Sequence, residues 1–313
     1  MSVRILSTSP LVGPALRDVG KRFPDLKIAP FRSQAWLESL REAEALIVLL
    51  SEPLNEGDLD GAPNLKIIGS YSVGLNHLPL MSCEARGIKV IGTPGVLTDA
   101  TADLALALLL AVTRRLAEGE HLIRSGQWAG WAPDQLLGTG LSGKACGILG
   151  AGAIGKAFAR RVWALGMRPS FWDRKGVGGT VSFGLGEAPR LPLPELLESS
   201  AVLSLHCPLS QETQGLLGLK ELERLPKGAV VINTARGGIL DEPSAIALLR
   251  AGHLGGVGLD VYQGEPKLHP AWREAPRTVL LPHLGSATQE TREAMAQLLC
   301  EGIGEALAPS GWV

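Results

Sequence analysis

Between Ala145 and Leu165 the chain reads as strand, tight turn and helix, and this stretch limits the possible folds more than any other. Ala145-Cys146-Gly147-Ile148-Leu149 is a short apolar run. Gly150-Ala151-Gly152-Ala153-Ile154-Gly155 follows as G-x-G-x-x-G. Ile154, Phe158, Val162 and Leu165 then recur at helical spacing, and Gly166 supplies a helix stop. In that setting the three glycines have separate tasks: the turn, the close approach of a pyrophosphate, and packing of helix on strand. The helix N-terminus offers unpaired N–H groups and a positive dipole end to phosphates. Glycine is common in this sequence (39 of 313), so the motif draws its weight from its strand–turn–helix context. Asp173 lies about 20 residues further on, after a second apolar run, Ser170-Phe171-Trp172. A carboxylate there can accept hydrogen bonds from an adenosine ribose, which favours NAD. Arg174 and Lys175 follow at once and could hold the 2′-phosphate of NADP if Asp173 turned away.

Bulk properties bound the rest. The length suggests two domains at about 150 residues each. With 30 basic and 31 acidic residues the formal charge is −1, so neither nucleic acid nor an anionic membrane is an expected partner. Cys83, Cys146, Cys207 and Cys300 are far apart, which fits reduced thiols and neither a disulfide frame nor a metal site. The N-terminus lacks a signal-type apolar region, and the apolar run Leu104–Val112 is too short to span a bilayer. The expectation is a soluble, cytoplasmic, globular protein.

Apolar runs and helical patterns alternate along the chain. Strands are expected near Val3–Leu6, Leu26–Ala29, Ala45–Leu50, Leu65–Gly69 and Ile88–Ile91, with helices at Leu11–Phe23, from a Ser33 cap to Leu40, and at His77–Arg86. This is a small doubly wound unit. A helix from Thr101 to Ala117, capped by Thr98 or Asp99, is apolar on every side. It must be buried on every side, either between domains or in a subunit interface. Gly126–Pro133 forms an exposed loop with two tryptophans, Trp128 and Trp131. A second, larger unit follows. Its further strands are Ala201–Leu205, Ala229–Ile232, Val257–Leu259 and Val279–Leu281. Its helices are Pro194–Ser199, Lys220–Leu225 and Pro243–Ala251, and Thr288–Leu307 is the last helix. The segment Gly176–Gly186 has five glycines and little periodicity, and its pattern leaves strand or helix undecided.

In an open α/β sheet, ligands bind beyond the carboxyl ends of the strands. Three such ends carry Arg236, Glu265 and His283, in Asn233-Thr234-Ala235-Arg236-Gly237-Gly238, Asp260-Val261-Tyr262-Gln263-Gly264-Glu265 and Pro282-His283-Leu284-Gly285-Ser286. The trio suits a 2-oxo acid. Arginine holds a carboxylate with two hydrogen bonds, histidine exchanges a proton with the carbonyl oxygen, and the acidic residue orients the ring and favours its charged form. His121, His253 and His269 read as structural or solvated, and His77 and His206 as intermediate.

On these motifs the sequence resembles the D-2-hydroxyacid dehydrogenases over essentially its whole length. Ser72-Val73-Gly74 is similar to the family's substrate loop and Thr98–Leu104 to the start of its interdomain helix. G-A-G-A-I-G, H-C-P-L, N-T-A-R-G-G, G-L-D-V and P-H-L-G-S-A-T follow in the family's order. The Trp-rich loop is nearest to the glyoxylate/hydroxypyruvate reductase branch. The resemblance implies two doubly wound parallel-sheet domains. A Rossmann NAD(P)-binding domain, residues 98–286, is inserted in a flavodoxin-like substrate domain, residues 1–97 plus 287–313. It implies Arg236, Glu265 and His283 as catalytic residues. Arg236 with Ser72, Val73, Gly74 and Trp131 would contact substrate, Trp131 reaching the active site of a partner subunit. The cofactor would be held by Thr101, Gly150, Gly152, Ala153, Ile154, Gly155, Asp173, Arg174, His206, Cys207, Thr213, Thr234, Ala235, Arg236, Asp260, His283, Gly285 and Ser286. No metal is implied, and a homodimer through the cofactor domain is.

The sequence departs from the family at Asn76, where aspartate is frequent, and no appended regulatory domain is expected after the last helix. The Glu265–His283 pair argues against formate dehydrogenase, whose matching position is glutamine. The leading reading is an NAD(P)-dependent reductase of small 2-oxo acids, glyoxylate and hydroxypyruvate first, with NAD preferred. The alternatives are a D-3-phosphoglycerate or D-lactate dehydrogenase, or a non-enzymatic NAD(H)-sensing co-repressor-like binding protein.

Overall fold

A computed structural model describes residues 4–174, 176 and 178–307, so Lys175 lies outside the described residues. The chain divides into two compact units, Met1–Leu97 with Ser286–Val313, and Thr98–Gly285.

In the first unit the elements run β1 (Ile5–Ser7), α1 (Ala15–Arg22), β2 (Lys27–Ile28), α2 (Gln34–Leu40), β3 (Ala45–Leu49), α3 (Glu56–Asp60), β4 (Ile67–Tyr71), α4 (Leu80–Ala85) and β5 (Lys89–Ile91). The five strands are parallel, in the order β2-β1-β3-β4-β5 of a flavodoxin-like sheet. Side chains alternate across a strand, so Leu46 and Val48 join Trp36, Leu40, Leu59 and Ile68 in one apolar cluster. Ser33 caps α2, its hydroxyl accepting from Trp36 N–H at 3.2 Å. The short α3, not anticipated from periodicity, is fixed by a capping box between Asn55 and Asp58. The chain returns to this unit for its last helix, Gln289–Leu307, which packs on α1 and β4.

The second unit holds α5 (Thr98–Thr113), α6 (Leu116–Arg124), β6 (Ala145–Leu149), α7 (Ala153–Ala164), β7 (Arg168–Trp172), β8 (Thr180–Ser182), β9 (Glu187–Pro189), α8 (Leu193–Ser199), β10 (Val202–Leu205), α9 (Leu219–Glu223), β11 (Ala229–Asn233), α10 (Glu242–Arg250), β12 (Leu254–Leu259) and β13 (Thr278–Leu280). Its six-stranded parallel sheet runs β13-β12-β11-β10-β6-β7, and Arg190 bridges Phe171 in parallel outside β7. With Arg190 in the place of a further strand, the order is that of a Rossmann sheet, with its reversal between β6 and β10. Both faces are covered. Leu149, Leu203, Leu205, Val231 and Leu259 pack under α8–α10 with Trp272, while Cys146, Ile148, Val202, Val230 and Ile232 pack under α5 and α7. That double burial is why these strands read as continuous apolar runs.

One expectation is corrected and two are filled in. The interdomain-type helix begins at Thr98, so Thr98 and Asp99 lie inside it and do not cap it. It stops at Thr113, whose carbonyl accepts from Thr139 N–H at 2.8 Å. Arg115 then adopts a left-handed backbone (φ 54°) before α6 begins. Within this single chain α5 leaves Asp103 and Ala107 exposed and Leu104, Leu106 and Leu110 half-buried. Finally, the Gly-rich segment holds an antiparallel hairpin, β8–β9, anchored by buried Val181, Phe183 and Ala188. No helix among the described residues is long and apolar enough to cross a membrane.

Phe158 of α7 is fully buried against β6 and the His206 ring, whose centroid is 4.9 Å away. Phe158→Ala is expected to lower unfolding stability by about 3–5 kcal/mol, read from urea-unfolding midpoints. A loss below about 1 kcal/mol would contradict this packing.

Candidate active site at the carboxyl edge of the larger sheet

The turn after β6 matches the three tasks assigned to its glycines. Gly150 has φ +109°, and a Cβ there would lie 2.6 Å from His206 O and 2.8 Å from Cys207 N. A Cβ on Gly155 would overlap the Gly150 carbonyl, so only glycine lets α7 pack this closely on the turn. Gly152 faces open space, with no atom within 4 Å of its Cβ position. No side chain caps α7 at Gly152, which leaves the N–H groups of Ala153 and Ile154 to an anionic ligand. This cradle fits a pyrophosphate.

Other expected cofactor residues stand along the same edge. Asp173 follows β7, and its carboxylate accepts from Arg190 Nη2 at 3.3 Å. Arg174 is exposed and lies 3.5 Å from Glu212. The His206 ring is held by Ser204 Oγ at 2.8 Å, and burial pushes its pKa down to about 3, so it is neutral. Its Nδ1 and the Thr234 hydroxyl are buried without a hydrogen-bond partner, as a polar ligand at this edge would require. Burial pushes the Cys207 thiol up to about 11. Thr213 and Thr101 spend their hydroxyls within the protein, on Pro208 O at 2.6 Å and Gly285 O at 3.0 Å. Ser286 is buried where the chain re-enters the first unit.

The three loops after β11, β12 and β13 are built as one piece. Asn233 shapes the first, its amide donating to Arg236 O at 2.9 Å and accepting from Ala235 N–H at 3.0 Å. Arg236 sits half-buried in extended backbone, and Nη1 donates to Ala235 O at 2.7 Å. Burial pushes its pKa down, and the charge of Glu265 opposes that. Gly237 lies so close to the Tyr262–Gln263 peptide that any Cβ would overlap it. Asp260 ends β12, and its buried carboxylate accepts from Leu284 N–H at 2.6 Å and Gly285 N–H at 2.8 Å. Its carbonyl accepts from His283 N–H at 2.9 Å. His283 is thereby held at φ +56°, a left-handed conformation uncommon outside glycine. Its Nδ1 lies 2.7 Å from Glu265 Oε2.

Burial pushes the Glu265 carboxyl up, but the His283 hydrogen bond and charge, Tyr262 N–H and the Arg236 charge together bring it below its ordinary 4.5. Glu265 is therefore ionised at neutral pH, and the short contact needs a proton on His283 Nδ1. That leaves Nε2 as the nitrogen able to exchange a proton with a ligand. Arginine, carboxylate and imidazole on one rigid edge can bind an anion and transfer a proton beside it.

In the first unit, the expected substrate loop follows β4. Ser72 is buried, its Oγ 2.7 Å from Ser70 Oγ and donating to Gly74 O at 2.8 Å, while Val73 is exposed. Trp131 is 81% exposed in its loop.

The family model for the D-isomer specific 2-hydroxyacid dehydrogenase NAD binding domain matches residues 106–285. A glyoxylate reductase of Thermococcus litoralis is 42% identical over 272 residues, 85% of this chain and 81% of that protein. A solved structure from Thermus thermophilus is 41% identical with a TM-score of 0.89, covering 98% of this chain and 99% of the other. An NADPH-dependent glyoxylate/hydroxypyruvate reductase from Sinorhizobium meliloti, solved with NADP and malonate, is 30% identical with a TM-score of 0.85, covering 98% and 94%. The chain belongs to the D-isomer specific 2-hydroxyacid dehydrogenase family. It is an NAD(P)-dependent oxidoreductase.

Several residues that hold this dehydrogenase's site together were not singled out from the sequence. Glu242 is 2% exposed. It accepts from Gln263 N–H at 2.5 Å and Trp272 Nε1–H at 2.8 Å, and so ties α10 to the loop that carries Glu265. Tyr262 donates its hydroxyl to Leu281 O at 2.8 Å, just before His283. A glutamate two places after N-T-A-R-G-G-I-L reads as an ordinary helix-start acid, and only the fold shows what it accepts from.

The depressed Glu265 carboxyl has a consequence for stability. Its contribution is full above the ordinary value of 4.5 and is lost as pH falls through the lower folded value. Urea-unfolding midpoints of the wild type and Glu265→Gln should therefore differ at neutral pH and converge as pH falls below 4.5. A difference that does not change with pH would contradict an ionised, His283-paired Glu265.

Proposed function

We propose that this dehydrogenase reduces small 2-oxo acids, glyoxylate and hydroxypyruvate first, with NADH preferred. The observation carrying the reading is the 2.7 Å His283–Glu265 pair on the same sheet edge as Arg236 and the glycine cradle. When bound, the reduced nicotinamide supplies a hydride to C2 of the acid. Arg236 holds the substrate carboxylate and polarises the carbonyl. His283 Nε2 gives its proton to the carbonyl oxygen, and Glu265 stabilises the charged ring that does so. Asp173 at the end of β7 favours the unphosphorylated ribose.

Substrate contacts from Ser72, Val73 and Gly74 are proposed from the resemblance of their motif. Cofactor contacts from Thr101, Thr213 and Asp260 are proposed through their backbone or remaining lone pairs, since their side chains already bond within the protein. A homodimer is proposed through α5 and α6. Leu104, Leu106 and Leu110 are only half covered, Leu116 and Ile123 are more than half exposed, and Trp131, in the loop after α6, is 81% exposed. A reducing, cytoplasmic setting is proposed from the four cysteines, all free and buried.

Steady-state rates with glyoxylate, hydroxypyruvate, pyruvate and phosphohydroxypyruvate, each with NADH and NADPH, test the reading. Glyoxylate and hydroxypyruvate with NADH should give the highest kcat/KM. His283→Gln should lower kcat by about 10²–10⁴-fold while leaving NADH binding near wild type. Tight NADH binding with no turnover of any 2-oxo acid would instead identify an NAD(H)-sensing protein.

A further inference from the structure

The adenosine end of the cofactor site carries a cation that neither the glycine motif nor the basic pair after Asp173 announces. Arg190 leaves the β8–β9 hairpin and bridges Phe171 in parallel, one strand position outside β7. Its backbone is fixed on both sides. Arg190 N–H donates to Gly179 O at 3.0 Å, and Leu191 N–H donates to Phe171 O at 2.9 Å. The hairpin behind it is pinned by buried Phe183, which stacks near Trp163 and accepts at its carbonyl from Arg160 at 3.3 Å.

From this position the guanidinium reaches Asp173. Nη2 donates to Oδ2 at 3.3 Å and Nε lies 3.1 Å from Oδ1, with side-chain exposures of 17% and 16%. Nε is nonetheless buried without a hydrogen-bond partner, so its N–H is not aligned with Oδ1. The fork is charge-paired with Asp173 but only half engaged by it. Arg174 differs in kind, since its side chain is 60% exposed and lies beside Glu212.

We propose that Arg190 is the specificity-determining cation for the cofactor's adenosine ribose, and that it makes the site tolerant of a 2′-phosphate. The proposal rests on the reading that Asp173 binds that ribose. A lone carboxylate there repels a phosphate dianion. A guanidinium pressed against it cancels much of that repulsion and offers a planar fork that matches phosphate oxygens. With NAD, Arg190 aligns Asp173 toward the ribose hydroxyls. With NADP, the same fork exchanges its carboxylate partner for the 2′-phosphate. The preference for NAD is accordingly modest.

Calorimetric binding of ADP-ribose and of its 2′-phosphorylated form to the full chain tests this without the nicotinamide or turnover. Arg190→Gln should weaken the phosphorylated ligand about tenfold or more and ADP-ribose by less than about threefold, and Arg190→Lys should restore most of the loss. Asp173→Ala should weaken ADP-ribose and strengthen the phosphorylated ligand. In Asp173→Ala/Arg190→Gln that strengthening should vanish. Equal weakening of both ligands by Arg190→Gln, with an unchanged unfolding midpoint, overturns the proposal, as does a gain that survives in the double variant. If Asp173→Ala leaves ADP-ribose binding unaltered, the ribose role of Asp173 falls and Arg190's role with it. If ADP-ribose weakens but Arg190→Gln does not discriminate, Arg190's role alone falls.

Discussion

The buried carboxylate of Asp260 is the interaction on which the candidate site depends. It ends β12 in the middle of the edge, is 1% exposed, and spends both oxygens on the N–H groups of Leu284 and Gly285. Burial pushes its pKa up, against those two N–H groups and the charge of His283. Hydrogen bonds to a charged acceptor in such a place are worth about 1.5–3 kcal/mol each. They offset the sparsely populated backbone at His283, and Thr101 adds a further tie by donating to the Gly285 carbonyl. The imidazole is thus placed by a neighbouring strand and by α5, and not by its own loop.

The other loops follow the same design. Gly237 lets the Arg236 loop lie directly on the Tyr262–Gln263 peptide, and Glu242 clamps that peptide from α10. Tyr262 reaches back to Leu281 beside the His283 loop. Three functional loops therefore share supports, and a change in any one support displaces more than one loop. Rigid placement of this kind is what proton transfer and carboxylate binding at one small ligand require.

The cofactor end contrasts with it. There the glycine cradle is fixed by backbone approach, while the proposed ribose end holds a side-chain ion pair, Asp173–Arg190. Backbone geometry tolerates little change, whereas an ion pair with an unaligned N–H can exchange partners. On the proposal made for Arg190, discrimination between cofactors resides beside the hairpin and not in the glycines.

The sequence by itself determined what depends on local periodicity and on residue type at strand ends. Continuous apolar runs specified buried parallel strands, because both sheet faces are covered. G-A-G-A-I-G specified the turn, because each glycine meets a local steric demand. Arg236, Glu265 and His283 stood out as candidates because each lies in the loop that follows such a run. The tertiary structure alone decided what depends on residues distant in the chain. The hairpin at Thr180–Pro189 has strands too short for periodicity to show, and its anchors are supplied by α7. The break after Thr113 coincides with the left-handed Arg115 and with a Thr113 carbonyl taken by Thr139. The partners of Asp260, Glu242 and Arg190 lie 17 to 30 residues away, where spacing along the chain carries no signal and only packing brings the groups into contact.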